Sequence, residues 1–485
     1  MIYPNRNFSL FAMLITTLSS VNVMATNGMN MEGYGPQATA MGGASMAYDN
    51  GTAAMMNNPA TIGLMNSSYR FDLAIGKLGP DVTASMNANN LSADSSGTSY
   101  IMPALGWVMK NGKITYGFGV FAQGGMGTEF GSNSWMANPG QQLTSPKLVN
   151  RSEVGIGRVL VPLTYQINDQ FIVGGSVDFV WAGMDLQMGM NAAQFGDLIG
   201  TQSQGTASGS LVDGFTSMYD PINAGAPIER LDYAYFDFSN SSDFTGEAFG
   251  KGVAGKIGLT FKLNDMISFG ATYHSKTNLS DLETSNATMT MAISGDGGLM
   301  SGGAAVGYTD MTIPVTGKIT VNDFQWPSTM GLGVVVKPMK RVMLVADVKQ
   351  IGWSDVMKNF DMTFTADTVA ANGNFSGAVM DMKLFQNWED QTVYSVGGSF
   401  AVTDELTIRG GANRGKNPVS LKYLNALFPA IVQNHITAGV GYKLRGGSSF
   451  DLSMTKALES KVTNTSGVTS AHAQLNWQFM YSYIY

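Results

Sequence analysis

Residues 26–60 read TNGMNMEGYGPQATAMGGASMAYDNGTAAMMNNPA. The stretch is rich in Gly, Ala, Met and Asn, and Glu32 and Asp49 are its only charges. It holds no two-residue alternation long enough to cross a membrane as a strand, yet it stands directly ahead of a series of segments that do alternate. A compact, small-residue piece in front of a string of β-segments is suited to packing inside something. What that enclosure is follows from the rest of the chain.

Only 13% of the 485 residues are charged, about half of the roughly 25% usual in soluble domains. Glycine is abundant at 59 residues, while mean hydropathy is +0.02, too low for a helical membrane protein. Few charges, many glycines and aromatics, and middling hydropathy fit a transmembrane β-barrel, whose residues alternate between lipid and lumen. The net charge of −7, with no basic cluster, argues against a nucleic-acid partner. Cysteine is absent, which removes disulfides, thiolate catalysis and cysteine metal sites together. The N-terminus has the form of a signal peptide, residues 1–25, with Arg6, an apolar run over 8–18 and Val23-Met24-Ala25 before a mature start at Thr26. That apolar run is shorter than the roughly 20 residues of a spanning helix.

From Tyr69 onward, alternating runs of strand length are separated by turns. Over 153–167, Val159, Val161, Leu163, Tyr165 and Ile167 share one face and Arg158 takes the other. The next run sets Phe171, Val173, Val177, Phe179 and Trp181 against Ser176 and Asp178, and similar segments follow around Lys256, Asp347 and Arg409. Short turns, such as Asn111-Gly112, Asn168-Asp169 and Thr403-Asp404, interleave with long connections at about 125–152, 188–247, 280–327, 355–391, 416–434 and 458–468. Outer-membrane barrels have this asymmetry of short periplasmic turns and long outer loops. The reading is an all-β transmembrane antiparallel β-barrel over 67–485, of about 14 strands, with 315–321 counted as a strand-like piece of a loop. Such a barrel exceeds the roughly 8 strands whose lumen side chains fill, so 26–66 is assigned as a hatch, or plug, inside it. The last strand alternates Trp477, Phe479, Tyr481, Tyr483 and Tyr485 with polar or apolar partners. Its terminal aromatic, Tyr485, resembles the signal read by the barrel-assembly machinery of the bacterial outer membrane.

The landmarks Thr26-Asn27-Gly28, Gly33-Tyr34-Gly35, Met41-Gly42-Gly43-Ala44, Asp49-Asn50-Gly51 and Asn58-Pro59-Ala60, with Gly127-Thr128-Glu129-Phe130 and Gly352-Trp353-Ser354 further on, resemble the long-chain fatty-acid and hydrocarbon transporter family of outer-membrane proteins, the FadL/TodX type. The likeness covers nearly the whole mature chain but weakens over 188–247 and 355–391. It implies a 14-stranded barrel closed by an N-terminal hatch, working as a monomer in outer-membrane lipid and taking up hydrophobic small molecules. The ligand meets an apolar patch on the outer loops, then a pocket against the hatch, and leaves sideways through an inward kink in the third strand. Ligand contacts are placed at Thr26, Asn27, Met29, Met31, Tyr34, Phe121 and Phe130, with Phe195, Leu198 and Phe215 as the loop patch. Gate and hinge positions are placed at Gly124, Gly125 and Gly127, which interrupt an alternating strand, and at Asn58, Pro59 and Ala60, where proline sets φ and biases Asn58 to extended backbone. An ordinary glycine-rich loop after Phe121 is the other reading of the three glycines.

Several features leave alternatives open. The apolar residues of 188–247, at helical spacing, form either a capture groove or a loop packed on the rim. Six methionines of the hatch, Met29, Met31, Met41, Met46, Met55 and Met56, line a ligand surface or fill gaps. Arg158, Lys256 and Arg409 hold a ligand carboxylate or pair with Asp178, Asp347 and Asp451. The stretch 250–257 approaches a phosphate-binding loop but lacks its final Ser/Thr and lies inside a strand. His274, His435 and His472 have neither metal-ligand spacing nor a nucleophile motif beside them. No catalytic residue, metal or cofactor is expected. A general aqueous porin, and a surface adhesin or receptor anchored by a barrel, are the rival functions.

Overall fold

One-sided alternation over 10–20 residues, repeated along the chain, is satisfied by a closed wall with lipid outside and a polar lumen within. The computed structural model, which describes residues 27–220, 222, 225–241 and 246–484, contains such a wall. The signal segment, Thr26 and Tyr485 lie outside the described residues. The wall strands in chain order are β1 (Tyr69–Leu78), β2 (Tyr100–Asn111), β3 (Ile114–Phe130), β4 (Asn150–Gln166) and β5 (Phe171–Asn191). Then come β6 (Ala248–Lys262), β7 (Ile267–His274), β8 (Thr329–Met339), β9 (Val342–Ile351) and β10 (Gln391–Ala401). The last are β11 (Leu406–Gly415), β12 (Asn434–Lys443), β13 (Ser448–Thr463) and β14 (Val468–Ile484). Each pairs antiparallel with the next, and β14 returns to β1 with Phe71 opposite Tyr483 and Leu73 opposite Tyr481, which closes the ring.

The two faces are as the alternation requires. Leu163, Val177, Ile257 and Tyr394 are more than half exposed on the outside, whereas Arg158, Asp178, Lys256 and Asp451 are buried within. Near the short β2–β3 turn, Tyr69, Trp107, Tyr116 and Tyr483 meet edge to face, a piece of an interfacial aromatic girdle. Among the described residues no helix is long and apolar enough to cross a membrane.

The ring has about the expected number of strands, but the sheet extends beyond it. Among the described residues it holds 23 strands, because much of the expected loop is also strand. Ile228–Phe238 pairs with β5, and Leu282–Asp296, Tyr308–Asn322, Asn359–Ala366, Val379–Phe385 and Gly205–Ser208 follow it edge to edge. Residues 315–321 thus belong to a full strand. A hairpin of Pro80–Met86 and Leu91–Asp94 extends β14 in the same way. The connection expected at 125 begins only after Phe130. Helices α1 (Ala192–Ile199) and α2 (Ser210–Met218) occur where helical spacing predicted them.

Residues 27–65 lie against strands all round the ring, which only an interior position permits. Ser45 N–H donates to Asp347 of β9 (2.6 Å), Gly42 N–H to Thr437 of β12 (2.9 Å) and Thr52 N–H to Asp72 of β1 (2.7 Å). Thr164 of β4 donates to the Pro59 carbonyl (3.0 Å). The wall is shaved to admit the segment: a Cβ on Gly270 would stand 1.8 Å from the Met46 carbonyl oxygen, and one on Gly411 2.3 Å from the Met41 carbonyl carbon. Arg70 of β1 neutralises Asp49 at 2.6 Å.

Asn58 has the extended backbone expected before proline (φ −140°, ψ 108°) and caps a 3₁₀ helix, Pro59–Leu64, packed on β4, β5 and β6. Its amide donates to the Met46 carbonyl (2.7 Å) and to the Leu259 carbonyl of β6 (3.1 Å), and its oxygen accepts from Ala60 N–H (3.1 Å). Asn58→Ala strands these buried groups and is expected to cost about 2 kcal/mol. The urea midpoint for unfolding of the purified barrel checks this.

Candidate ligand cavity and side opening

The third wall strand is irregular where it enters the outer half of the barrel. Ala122 pairs with Gly157 and Gly124 with Ile156, so Gln123 is an extra residue with no partner on β4. A bulge of this kind bends its strand and increases the local twist. Here β3 bends away from β2, whose ladder with it ends at Leu105–Val120. Beyond that point β2 stays paired with β1, through Tyr100–Leu78, and β3 with β4, through Phe130–Asn150. The wall therefore carries an unlaced seam between β2 and β3. Ser96 N–H donating to the Glu129 carbonyl (2.8 Å) and Glu129 N–H donating to Ser95 Oγ (2.9 Å) tie its outer end.

Gln123 is held inward from two sides. Tyr34 O–H donates to its carbonyl at 2.6 Å, and Arg158 of β4 donates to its side-chain oxygen. Burial pushes the Tyr34 phenol far above its ordinary range, so it remains a hydroxyl donor at any physiological pH. Arg158 also donates to Asp178 (2.8 Å), which accepts from Lys256 as well. Of the two roles open to the interior cations, pairing is what the structure contains: Arg409 likewise meets Asp451 at 2.7 Å. The free edge of β3 is covered from within. Gly125 N–H donates to the Met29 carbonyl (3.1 Å), and Asn30 bridges to Gly124. The approach needs glycine, because a Cβ at Gly124 would lie 2.3 Å from the Met29 oxygen. Asn30 in turn accepts from Trp326 Nε1–H at 2.8 Å.

Behind the seam is a cavity of about 260 Å³. Its inner wall includes Met29, Met31, Glu32, Phe121 and His472, and its lining runs through the seam residues Gly124, Gly125 and Gly127 to Ile101, Pro103 and Trp181. Ile101 is 39% exposed, and Trp181 continues the outward face of Val177 and Phe179. One continuous space thus joins the lumen to the lipid side. A second cavity of about 40 Å³ adjoins it, sharing Met31 and Phe121 and adding Tyr34.

The other expected ligand positions lie elsewhere. Asn27 is buried beside Gly415 and lines neither cavity. Phe130, Phe195, Leu198 and Phe215 are fully packed in the core beneath the rim strands, with Phe195 and Phe215 meeting edge-on at 5.7 Å. The buried apolar residues of α1 and α2 therefore pack into the rim. Asn58, Pro59 and Ala60 fasten the segment to β4 and β6, remote from the seam. Sequence reasoning missed Gln123 and Trp326. The glycines following Gln123 were the available signal, displaced from the bulge by one residue.

A closed lipid-facing barrel, an internal segment and an apolar cavity open through the wall define a membrane channel with a lateral opening. Residues 12–482 match the family described as outer membrane protein transport protein (OMPP1/FadL/TodX), and the chain belongs to it. It is a bacterial outer-membrane protein. The toluene transporter TodX of Pseudomonas putida is 27% identical, with a TM-score of 0.76 over 94% of this chain and 99% of that one. The toluene transporter TbuX of Ralstonia pickettii is 27% identical, with a TM-score of 0.73 over the same shares. A Pseudomonas aeruginosa FadL homologue shares the fold at 15% identity and a TM-score of 0.64, over 94% of this chain and 98% of that one. An uncharacterized protein in the phosphoenolpyruvate carboxykinase gene 5'region of Chlorobium limicola is 42% identical over 86 residues, 18% of this chain. The match spans 41% of that curated relative's length.

Proposed function

We propose that this chain is a passive channel for hydrophobic small molecules, monoaromatic hydrocarbons or long-chain fatty acids, and that residues 27–65 act as its hatch. The observation that carries the reading is the single cavity that runs from the hatch through the β2–β3 seam to the outer surface of the wall. A hydrophobe entering it exchanges water for apolar lining at about 25 cal/mol per Å², and the seam then offers lipid without passage through water. No energy source is needed, because the membrane is the more favourable solvent. With the helices of the rim engaged in packing, first capture falls to exposed apolar residues such as Leu143, Val306 and Leu421. No chemical step is proposed. The backbone of Met29 and Asn30 covers the edge of β3 beside that cavity, so widening it for passage requires those residues to withdraw while the Asn58–Leu64 anchor stays.

The test is uptake of radiolabelled toluene and oleate by cells whose own channels have been deleted. Expression of this chain is expected to restore uptake of at least one of them, and deletion of residues 27–45 to abolish it while the barrel still inserts. Ion conductance in planar bilayers without any uptake of either compound would favour a porin instead.

A further inference from the structure

The inner end of the cavity is not apolar. His472, Gln474 and Asn476 alternate on one inward face of β14, and Glu32 of the hatch lines the same space. All four are more than nine-tenths buried, at 5%, 8%, 3% and 2% exposure. Each keeps a polar atom with no partner: His472 Nε2, Gln474 Oε1, Asn476 Nδ2 and Glu32 Oε1. Unmatched buried polar atoms are costly and point to a missing occupant.

The kind of atom that is missing can be read from the partners already present. His472 Nδ1 lies 2.8 Å from the Pro429 carbonyl, which only accepts, so Nδ1 carries the proton and Nε2 is a lone pair. Asn476 Oδ1 accepts from Gly79 N–H at 3.2 Å, which fixes its amide with Nδ2 free to donate. Glu32 contributes an oxygen, and Gln474, whose amide no neighbour orients, offers either its oxygen or its nitrogen. The group therefore presents at least two acceptors and one donor, which can match a hydroxyl that donates one hydrogen and accepts another. Charge narrows the choice. Among the described residues the lining has no lysine or arginine, and its other carboxylate, Glu153, is engaged by Arg151 at 2.7 Å. Lys349, within electrostatic reach of Glu32, donates to the Gly43 carbonyl at 2.9 Å and is not part of the lining. A ligand carboxylate would thus face Glu32 with no cation to hold it.

We infer that the cavity selects a neutral hydrophobic molecule bearing a hydroxyl group, a hydroxylated arene or an alcohol, which it binds with the hydroxyl at the polar end lined by Glu32, His472, Gln474 and Asn476 and the hydrocarbon toward the seam. The inference rests on the uptake reading above and names its substrate class. Calorimetric titration of the purified full-length protein with propylbenzene, propylphenol and propylbenzoate at neutral pH tests it. Propylphenol is expected to bind roughly 10-fold or more tighter than propylbenzene, and propylbenzoate weakest. Glu32→Gln, which keeps an acceptor but removes the charge, should raise propylbenzoate affinity relative to propylbenzene, and Gln474→Leu should narrow the phenol preference. Equal affinities for propylphenol and propylbenzene, as when water fills the polar end, would overturn the inference and leave the uptake reading standing, as would tightest binding of the benzoate. Binding of none of the three would overturn both.

Discussion

Deletion of Gln123 is expected to reduce uptake of hydrophobic molecules to the background of cells lacking the channel, in a barrel that still folds. The register dictates this outcome. Ala122 already faces Gly157 and Gly124 already faces Ile156, so removing the residue between them joins two stretches of ladder that are in phase on β4. A one-residue change elsewhere in a strand would swap its inner and outer faces, but here the bulge is what interrupts the alternation. Without it, β3 loses its bend, its residues beyond Val120 swing back toward Tyr100–Ala104 of β2, and the seam laces shut. Amides of residues 121–127 should then gain protection from hydrogen exchange. Wild-type uptake with those amides protected would show that ligands leave by another route.

The barrel was legible because its signal is local and repeated. Each wall strand carries its own alternation, and the inward charges announce their faces: Arg158, Asp178 and Lys256 on neighbouring strands do meet. Asn58 was legible because proline constrains the residue before it. The rim was not. Gly205–Ser208 pairs with Val379–Phe385 across a long span of sequence, and α1, which carries Phe195, packs against Gly205–Ser208, Ile228–Phe238 and β5. Amphipathic spacing on α1 gives an apolar face, and what covers that face is decided by distant chain. The seam fails for a similar reason. A bulge is a mismatch between two strands, so Gln123 becomes special only once β4 is laid beside it. The polar end of the cavity combines both cases. Glu32 stands out in a segment with so few charges, but the company of His472 and Gln474 depends on where residues 27–65 enter the ring.

The largest stability effect is expected at Asp178. Its carboxylate is fully buried and accepts from Arg158 and Lys256, and Ser176 Oγ donates to it at 2.5 Å. Asp178→Asn keeps the shape and removes the only charge that both cations share. Two like charges, each about 1% exposed, are then left facing each other, and breaking such a buried group costs about 3–5 kcal/mol. The urea midpoint of the reconstituted protein should fall accordingly. Replacing all three residues together, as Arg158→Met, Asp178→Leu and Lys256→Met, should recover most of the loss, because apolar groups of similar volume need no partner. Uptake should not recover with it. Arg158 is the donor that holds the Gln123 side chain inward, and a methionine cannot take over that bond. Stability restored with uptake still impaired is the signature of a charge cluster that positions the bulge as well as supporting the wall. A single Asp178→Asn variant within about 1 kcal/mol of wild type would mean that the two cations find other partners in the lumen.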